Sequence, residues 1–239
     1  MSTIASYIDH TLLRPTATHT DISKICNEAL VYGFAAVCVP PSLVKTARRL
    51  VLEGGKPVVK VATVIGFPFG YSVVGAKLAE VMAAIADEAD ELDIVINLVA
   101  LKEGDWAFLE EEMRVLTERA HDAGKVVKVI IESGILTDEE IIQCCAVYSR
   151  VGVDFLKTST GYAERGASLE AVRLMRKHLP SSVRIKASGG IRDYKFAAEL
   201  VEAGADRLGC SASVESVKGE HVGPGGHAGP GKHGGPGGY

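Results

Sequence analysis

Gly152-Val153-Asp154-Phe155-Leu156-Lys157-Thr158-Ser159-Thr160-Gly161 decides how the chain is read. A glycine ends a helical pattern, a short apolar run follows, a lysine stands in that run, and hydroxyls and glycine close it. A strand that follows a helix this directly belongs to a parallel sheet and is buried on both faces. Lysine is almost never fully buried unless it is paired or used, because an isolated ammonium in an apolar core is costly. The ordinary alternative is a lysine at a strand end that snorkels to water. Arg184-Ile185-Lys186-Ala187-Ser188-Gly189-Gly190 argues against it, since one repeat further on the same construction returns: apolar strand, lysine, small residues, glycine pair.

Outward from this stretch the junction Gly152-Val153-Asp154 recurs as Gly204-Ala205-Asp206 and Glu88-Ala89-Asp90. Strand-like runs at 7–9, 35–39, 58–65, 92–96, 126–131, 153–157, 183–187 and 207–209 alternate with helical patterns. The helical patterns cover 21–32, 42–53, 76–89, 106–123, 138–150, 169–178 and 194–203. Thr137 with Glu140 makes a capping box. Gly33, Gly124, Gly152 and Gly204 stand where left-handed C-terminal caps belong. Eight βα repeats predict a (β/α)8 TIM barrel, an α/β fold, rather than an open sheet. The barrel is expected to occupy 1–218. The remaining 219–239 reads as a flexible tail: from His221 a hexapeptide repeats three times, as His-Val-Gly-Pro-Gly-Gly, His-Ala-Gly-Pro-Gly-Lys and His-Gly-Gly-Pro-Gly-Gly, before Tyr239. Glycine and proline at this density predict disorder. The three histidines, spaced six apart, make at best an adventitious metal site.

With 239 residues, 47% of them hydrophobic, the chain can bury the core of one large domain. A net charge of -4 gives no basic face for nucleic acid. The longest apolar runs are strand-length, so no membrane span is expected. The N-terminus lacks a basic segment followed by an apolar one, so no signal peptide is expected. Five cysteines form no C-x-x-C pair, and with an odd count reduced thiols in a cytoplasmic protein are the natural reading.

Alternate strand residues of a barrel face the axis or the helices. In the fourth strand Leu92, Ile94, Ile96 and Leu98 suit the helix side, which leaves Asp93, Val95 and Asn97 inward. The fifth turns Lys128, Ile130 and Glu132 inward, the sixth Phe155, Lys157 and Ser159, the seventh Lys186 and Ser188. The predicted lumen thus holds Asp93, Lys128, Glu132, Lys157 and Lys186, with Asp9 as a sixth. Dry barrel interiors prefer branched aliphatics, so this many charges implies ion pairing, catalysis or both. For Lys128 and Glu132 a structural ion pair is the favoured reading. Asp93, Lys157 and Lys186 lie toward the C-terminal strand ends, where barrel active sites are built.

An unperturbed lysine has a pKa of about 10.4 and is almost entirely protonated at neutral pH. A nucleophilic amine must be neutral. Lysines on adjacent strands, about 4.8 Å apart, bring two ammoniums close together. At about 5.5 Å they repel by about 3 kcal/mol at an effective dielectric of 20. One amine is thereby poised to lose its proton while its neighbour stays charged, the condition for a Schiff-base lysine. After the seventh strand comes the glycine loop Ser188-Gly189-Gly190-Ile191-Arg192-Asp193. After the eighth comes the small-residue turn Leu208-Gly209-Cys210-Ser211-Ala212-Ser213. Barrels commonly bind phosphate on backbone N–H groups at these two places, so Gly189, Gly190, Gly209 and Ser211 are candidate phosphate ligands.

From about Ile8 to Val217 the chain resembles the 2-deoxyribose-5-phosphate aldolases, class I aldolases on a (β/α)8 barrel. The resemblance rests on Ile8-Asp9-His10-Thr11-Leu12-Leu13, Val64-Ile65-Gly66-Phe67-Pro68, Glu91 to Asn97, Phe155 to Gly161 and Lys186 to Ile191. It implies that Lys157 forms the Schiff base and that Asp93 and Lys186 assist proton transfer. The implied reaction is the reversible addition of acetaldehyde to D-glyceraldehyde 3-phosphate, which gives 2-deoxy-D-ribose 5-phosphate with no cofactor and no metal. It also implies that Tyr239, at the end of the tail, enters the site to aid proton transfer. Many family members carry two serines after the glycine of the eighth strand; Gly209-Cys210-Ser211-Ala212 has one, with Ser213 as a substitute. Thr158 and Thr160 are expected to line the substrate channel, or else to close the strand by local hydrogen bonds. Cys38, at the end of the second strand, either faces the site or is a buried structural thiol, the more common case, and His10 reads as structural. Expected partners are a small-molecule substrate and further copies of the chain in a homodimer or homotetramer, with no nucleic acid and no membrane. Two other functions stay open: another phosphate-binding Schiff-base aldolase on the same barrel, and a metal- or partner-binding module acting through the tail.

Overall fold

The computed structural model describes residues 3–55 and 58–218. The flexible-tail expectation for 219–239, with Tyr239, lies outside the described residues. In chain order the strands are β1 (Ile8–Thr11), β2 (Ala36–Val39), β3 (Lys60–Ile65), β4 (Glu91–Val95), β5 (Val126–Ile130), β6 (Phe155–Lys157), β7 (Arg184–Ser188) and β8 (Arg207–Cys210). They pair in parallel, each with the next, and β8 returns to β1, so the sheet closes on itself. The helices around it are α1 (His19–Tyr32), α2 (Val44–Glu53), α3 (Val74–Ala86), α4 (Leu98–Lys102), α5 (Trp106–Asp122), α6 (Asp138–Val151), α7 (Leu169–His178), α8 (Tyr194–Glu202) and α9 (Ser213–Lys218). The expected TIM barrel is what the chain forms.

The helix ends follow the sequence. Thr137 and Glu140 close a full capping box on α6, and Thr18 with Asp21 does the same for α1. Gly33 and Gly152 cap α1 and α6 in the left-handed region. The core is the shell between strands and helices, filled by Leu92, Ile94, Val127, Val129, Leu156 and Ile185 from the outward strand positions. This is the sorting that strand alternation requires.

The repeated Gly-x-Asp junction has a structural purpose. Asp90 Oδ2 accepts the N–H of Val61 at 2.9 Å, Asp154 Oδ2 that of Val127 at 2.8 Å, and Asp206 Oδ2 that of Ile185 at 2.9 Å. Each aspartate, placed before an even-numbered strand, ties the foot of that strand to the one before it. The turn needs a left-handed residue, supplied by Gly152 (φ 80°) and Gly204 (φ 112°); Glu88 fills the same place at φ 64°.

Three expectations on the elements are corrected. Asn97 was expected inward on the fourth strand, and Leu98 outward. Instead Asn97 caps α4, its Oδ1 accepting from the N–H groups of Val99 and Ala100 at 3.1 Å, so the strand ends at Val95. The short α4 and α9 carry too few turns for a helical period to show. Val153 and Asp154 precede β6 instead of extending it, because the Asp154 side chain is committed to β5.

Candidate active site

Strand register brings the predicted charges to one level. Asp93 is paired with Lys128 across β4 and β5, and Lys157 with Lys186 across β6 and β7. All four point into the lumen and are buried. Asp93 Oδ2 accepts from Lys157 Nζ at 2.8 Å and from Lys186 Nζ at 2.7 Å, while Oδ1 accepts from Lys128 Nζ at 2.7 Å. One carboxylate therefore gathers three ammonium groups.

Below it the lumen continues as a ladder. Lys186 Nζ lies 2.6 Å from Asp9 Oδ2, and Lys128 Nζ lies 2.6 Å from Glu91 Oε2. Arg207 Nη1 reaches Asp9 Oδ1 at 2.6 Å and Glu91 Oε2 at 3.3 Å. The Phe155 ring closes the floor, 5.6 Å from the Arg207 guanidinium and 4.0 Å from that of Arg184. Sequence reasoning missed Glu91 and Arg207. Glu91 shares the parity of Asp93 but stands one residue before the apolar alternation at 92–96 that marks the strand. Arg207 opens a strand whose inward neighbour is Gly209, with no side chain to mark the face.

The ladder has four cations, Lys128, Lys157, Lys186 and Arg207, and three carboxylates, Asp9, Glu91 and Asp93. Lys128, Lys186 and Arg207 each touch two or more carboxylates, whereas Lys157 touches Asp93 alone among the described residues. A surplus charge in a buried site is expelled from the group that holds it least well. Burial, the largest influence on Lys157, pushes its pKa down; Asp93 opposes this, the Lys186 ammonium adds to it, and the net direction is down. Burial also disfavours the Lys186 ammonium, but Asp9 and Asp93 more than offset it and hold its pKa above the ordinary lysine value. Lys128 is raised against its burial by Asp93 and Glu91. Asp93 and Asp9 resist their own burial because of these cations, and both titrate below the usual carboxylate range. The pair of neighbouring lysines is thus split, one toward the amine and one firmly charged.

Glu132 departs from expectation. It was expected to pair with Lys128. Instead it follows the end of β5 in the left-handed region (φ 55°) and lies within 4.0 Å of no described cation. Its buried carboxylate accepts from the backbone N–H of Thr160 at 3.2 Å and from the Thr160 hydroxyl, and burial pushes its pKa up. Thr160 is thereby fixed. Thr158 is fixed too, its hydroxyl donating to Ser188 O and accepting from Ser188 N at 3.0 Å, so both threonines lock the loop after Lys157.

The two small-residue segments lie at the C-terminal ends of β7 and β8. Gly189 and Gly190 both have positive φ, 88° and 80°. Gly209 is corrected: it is not in a turn but inside β8. A Cβ there would come within 2.8 Å of Ser188 Cβ and 3.1 Å of Lys186 Cε, so its place is to leave room for Lys186. Ser211 sits in the turn before α9, and Ser213 Oγ donates to Cys210 O at 2.8 Å. His10 is structural, held by Glu28 at 2.7 Å and edge-on to Phe34. Among the described residues no group of three or more His, Cys, Asp or Glu is placed to hold a metal ion, and no helix is long and apolar enough to cross a membrane.

A closed parallel barrel with charged side chains gathered toward the C-terminal ends of its strands defines a class of protein, the barrel enzymes. Comparison with known proteins narrows the class. The family model described as DeoC/LacD family aldolase matches residues 3–217. The chain is 50% identical over 216 residues to the deoxyribose-phosphate aldolase of Thermococcus gammatolerans, covering 90% of this chain and 96% of that one. It is 38% identical to a solved aldolase designated QR15, with a TM-score of 0.85 over 91% of this chain and 96% of that one. The tetrameric deoxyribose phosphate aldolase of Aeropyrum pernix is 34% identical, with a TM-score of 0.83 over 90% of this chain and 89% of its own. The chain belongs to the DeoC/LacD family of aldolases.

Proposed function

We infer that the chain is a class I deoxyribose-phosphate aldolase, which cleaves 2-deoxy-D-ribose 5-phosphate reversibly to D-glyceraldehyde 3-phosphate and acetaldehyde. The family and the names of its relatives support the activity. The observation that carries the residue assignment is the surplus cation on Asp93: of four cations in the ladder, Lys157 has a single carboxylate partner.

In the synthetic direction the neutral Lys157 amine attacks the acetaldehyde carbonyl, and the carbinolamine loses water to give a protonated imine. Lys186, an ammonium in the resting site, supplies the proton that turns the departing hydroxyl into water and is left a neutral amine until it takes up the α-proton. Asp93 receives and returns protons through its short contacts with both lysines. Loss of an α-proton from the imine, by way of Asp93 to Lys186, gives an enamine; its carbon attacks the aldehyde of the phosphorylated acceptor, and the alkoxide that forms takes its proton from Lys186. Water then releases the product and restores the amine. The phosphate is assigned to the backbone at Gly189 and Gly190 and to Ser211, at the ends of β7 and β8. Gly209 is left out of that set. Thr158 and Thr160 shape the channel through the loop they lock. Tyr239 is kept as a proton-transfer residue; slower α-proton exchange of acetaldehyde in Tyr239→Phe is its test.

A homodimer or homotetramer is part of the proposal, in keeping with the tetrameric Aeropyrum pernix relative, and sedimentation of the purified protein decides it. So is a reducing, cytoplasmic setting: Cys26, Cys38, Cys144, Cys145 and Cys210 are all buried free thiols. The activity is tested by following D-glyceraldehyde 3-phosphate release from 2-deoxy-D-ribose 5-phosphate through a coupled dehydrogenase. Release by the parent and its loss in Lys157→Leu support the reading. Undiminished release by Lys157→Leu removes Lys157 from it.

A further inference from the structure

Facing the charge ladder, one wall of the lumen is apolar. Cys38 on β2 and Ala62 and Val64 on β3 form a buried cluster of their own with Leu13, and Phe67 packs against it. Cys38 looks toward the ladder: burial above all pushes its thiol up to about 11, and Asp93, Lys186 and Lys157 also act on it. The loop that follows Lys157 crosses the mouth to reach this wall.

That crossing is made by Tyr162. Its hydroxyl donates to the Leu13 carbonyl at 3.1 Å, and its ring stands edge-on to Phe67 with centroids 5.4 Å apart at 88°. Its backbone N–H donates to Thr160 Oγ1 at 3.0 Å, and Glu132 in turn grips Thr160. In a ring of eight strands β6 stands across from β2, so a contact from the β6 loop to the loops after β1 and β3 spans the opening. Tyr162 is anchored at both ends, with its ring between the apolar cluster and solvent.

We propose that Tyr162 is a specificity-determining residue, the roof of an apolar chamber beside Lys157 that limits the alkyl group of the carbonyl compound forming the imine. The proposal rests on the reading above, that Lys157 forms an imine with a small aldehyde. The residues of this wall, Leu13, Cys38, Ala62 and Val64 with Phe67, offer an alkyl group no polar side chain beyond one thiol, so selection against them is by size. Size selection needs walls that do not yield. Ala62 and Val64 are fixed in a strand, Phe67 packs on them, and the Tyr162 ring is held against Phe67 by the hydroxyl tether to Leu13. An apolar pocket built this way discriminates one methylene by about 10- to 200-fold. Removing the tether loosens the roof, and removing the ring opens it.

The test is a competition. Parent, Tyr162→Phe, Tyr162→Ala and Phe67→Ala proteins each receive equal acetaldehyde and butanal with sodium borohydride, and mass spectrometry of the Lys157 peptide gives the ratio of butyl to ethyl adduct. The ratio is expected to rise by about tenfold or more in Tyr162→Ala, less in Tyr162→Phe, and comparably in Phe67→Ala, which opens the chamber from its other side. Should Tyr162→Ala fail to fold, the other two variants still decide. An unchanged ratio in the folded variants, with the parent labelled at Lys157, overturns the roof and leaves the aldolase reading intact. No adduct at Lys157 in the parent overturns both.

Discussion

Lys157 is chemically distinct because of its neighbours' partners more than its own. Asp93 alone would raise its pKa; burial and a charge-balanced ladder beneath it lower it. The consequence can be read in the Lys186→Leu variant. Without that ammonium, three carboxylates face Lys128, Arg207 and Lys157, and charge balance requires Lys157 to keep its proton. Its pKa then rises. The acidic limb of the pH–rate profile is expected to move to higher pH as turnover falls steeply. An acidic limb at the parental pH would contradict the balance argument. A second residue-scale prediction concerns Glu88, which takes the left-handed turn position that Gly152 and Gly204 fill elsewhere. A side chain in that region costs about 1–2 kcal/mol. Its ion pair with the half-buried Arg48 is long, at 3.8 Å, and Glu88 itself is exposed, so little is lost with it. Glu88→Gly is therefore expected to stabilise the protein by about 1 kcal/mol in urea denaturation, and a destabilised variant would refute this.

At the scale of elements, the same sequence theme that revealed the βα repeat also fastens it, through Asp90, Asp154 and Asp206. A further fastening escaped the sequence. Lys77 on α3 and Glu112 on α5 meet at 2.9 Å with both side chains fully buried, and Lys77 Nζ also donates to Val95 O at 2.9 Å. The pair clamps the C-terminal end of β4, two residues past Asp93. Burial dominates both partners, pushing Lys77 down and Glu112 up despite their attraction. A pair in which desolvation wins is weak as a stabiliser yet costly to break. Lys77→Met is expected to cost about 3–5 kcal/mol, because Glu112 is left buried and unpaired. Lys77→Met combined with Glu112→Leu should cost less than either single change. Additive losses in denaturant titrations would contradict this.

Alternation along strands was legible because a barrel buries both faces, so a charge at an inward position stands out against aliphatic neighbours. That made Asp93, Lys128, Lys157 and Lys186 visible. Glycine hid the role of the eighth strand, since Gly209 makes space and leaves no chemical mark. Glu132 misled because parity predicts which side a residue faces, while the left-handed turn after β5 redirects it to Thr160. Tyr162 could not be found by pattern, because a contact between loops on opposite sides of one rim exists only once the barrel closes.

For the whole molecule the ladder couples stability to pH. Asp9 and Asp93 titrate in the fold below their ordinary values. Groups with depressed folded pKa values contribute stability that is fully present above the unfolded value, about 3.9, and is lost as pH falls through the folded one. Lys128 and Lys186 are raised, so their contribution is full below about pH 10.4 and is lost as pH rises through their folded values. The ladder's aspartates and raised lysines therefore weaken the fold only at the extremes. The free energy of unfolding is expected to drop below about pH 4, less steeply in Asp93→Asn. Equal acid slopes in parent and variant would show that the ladder does not govern acid unfolding.

We propose that, of the four cations of the ladder, Lys157 alone gives up its proton and becomes the nucleophile. Borohydride reduction in the presence of acetaldehyde, followed by peptide mapping, tests it most directly. A single ethyl group on the peptide carrying Lys157, formed with a midpoint pH below that of an ordinary lysine, is the predicted result. Labelling of Lys186 or Lys128 with Lys157 left free would contradict the account.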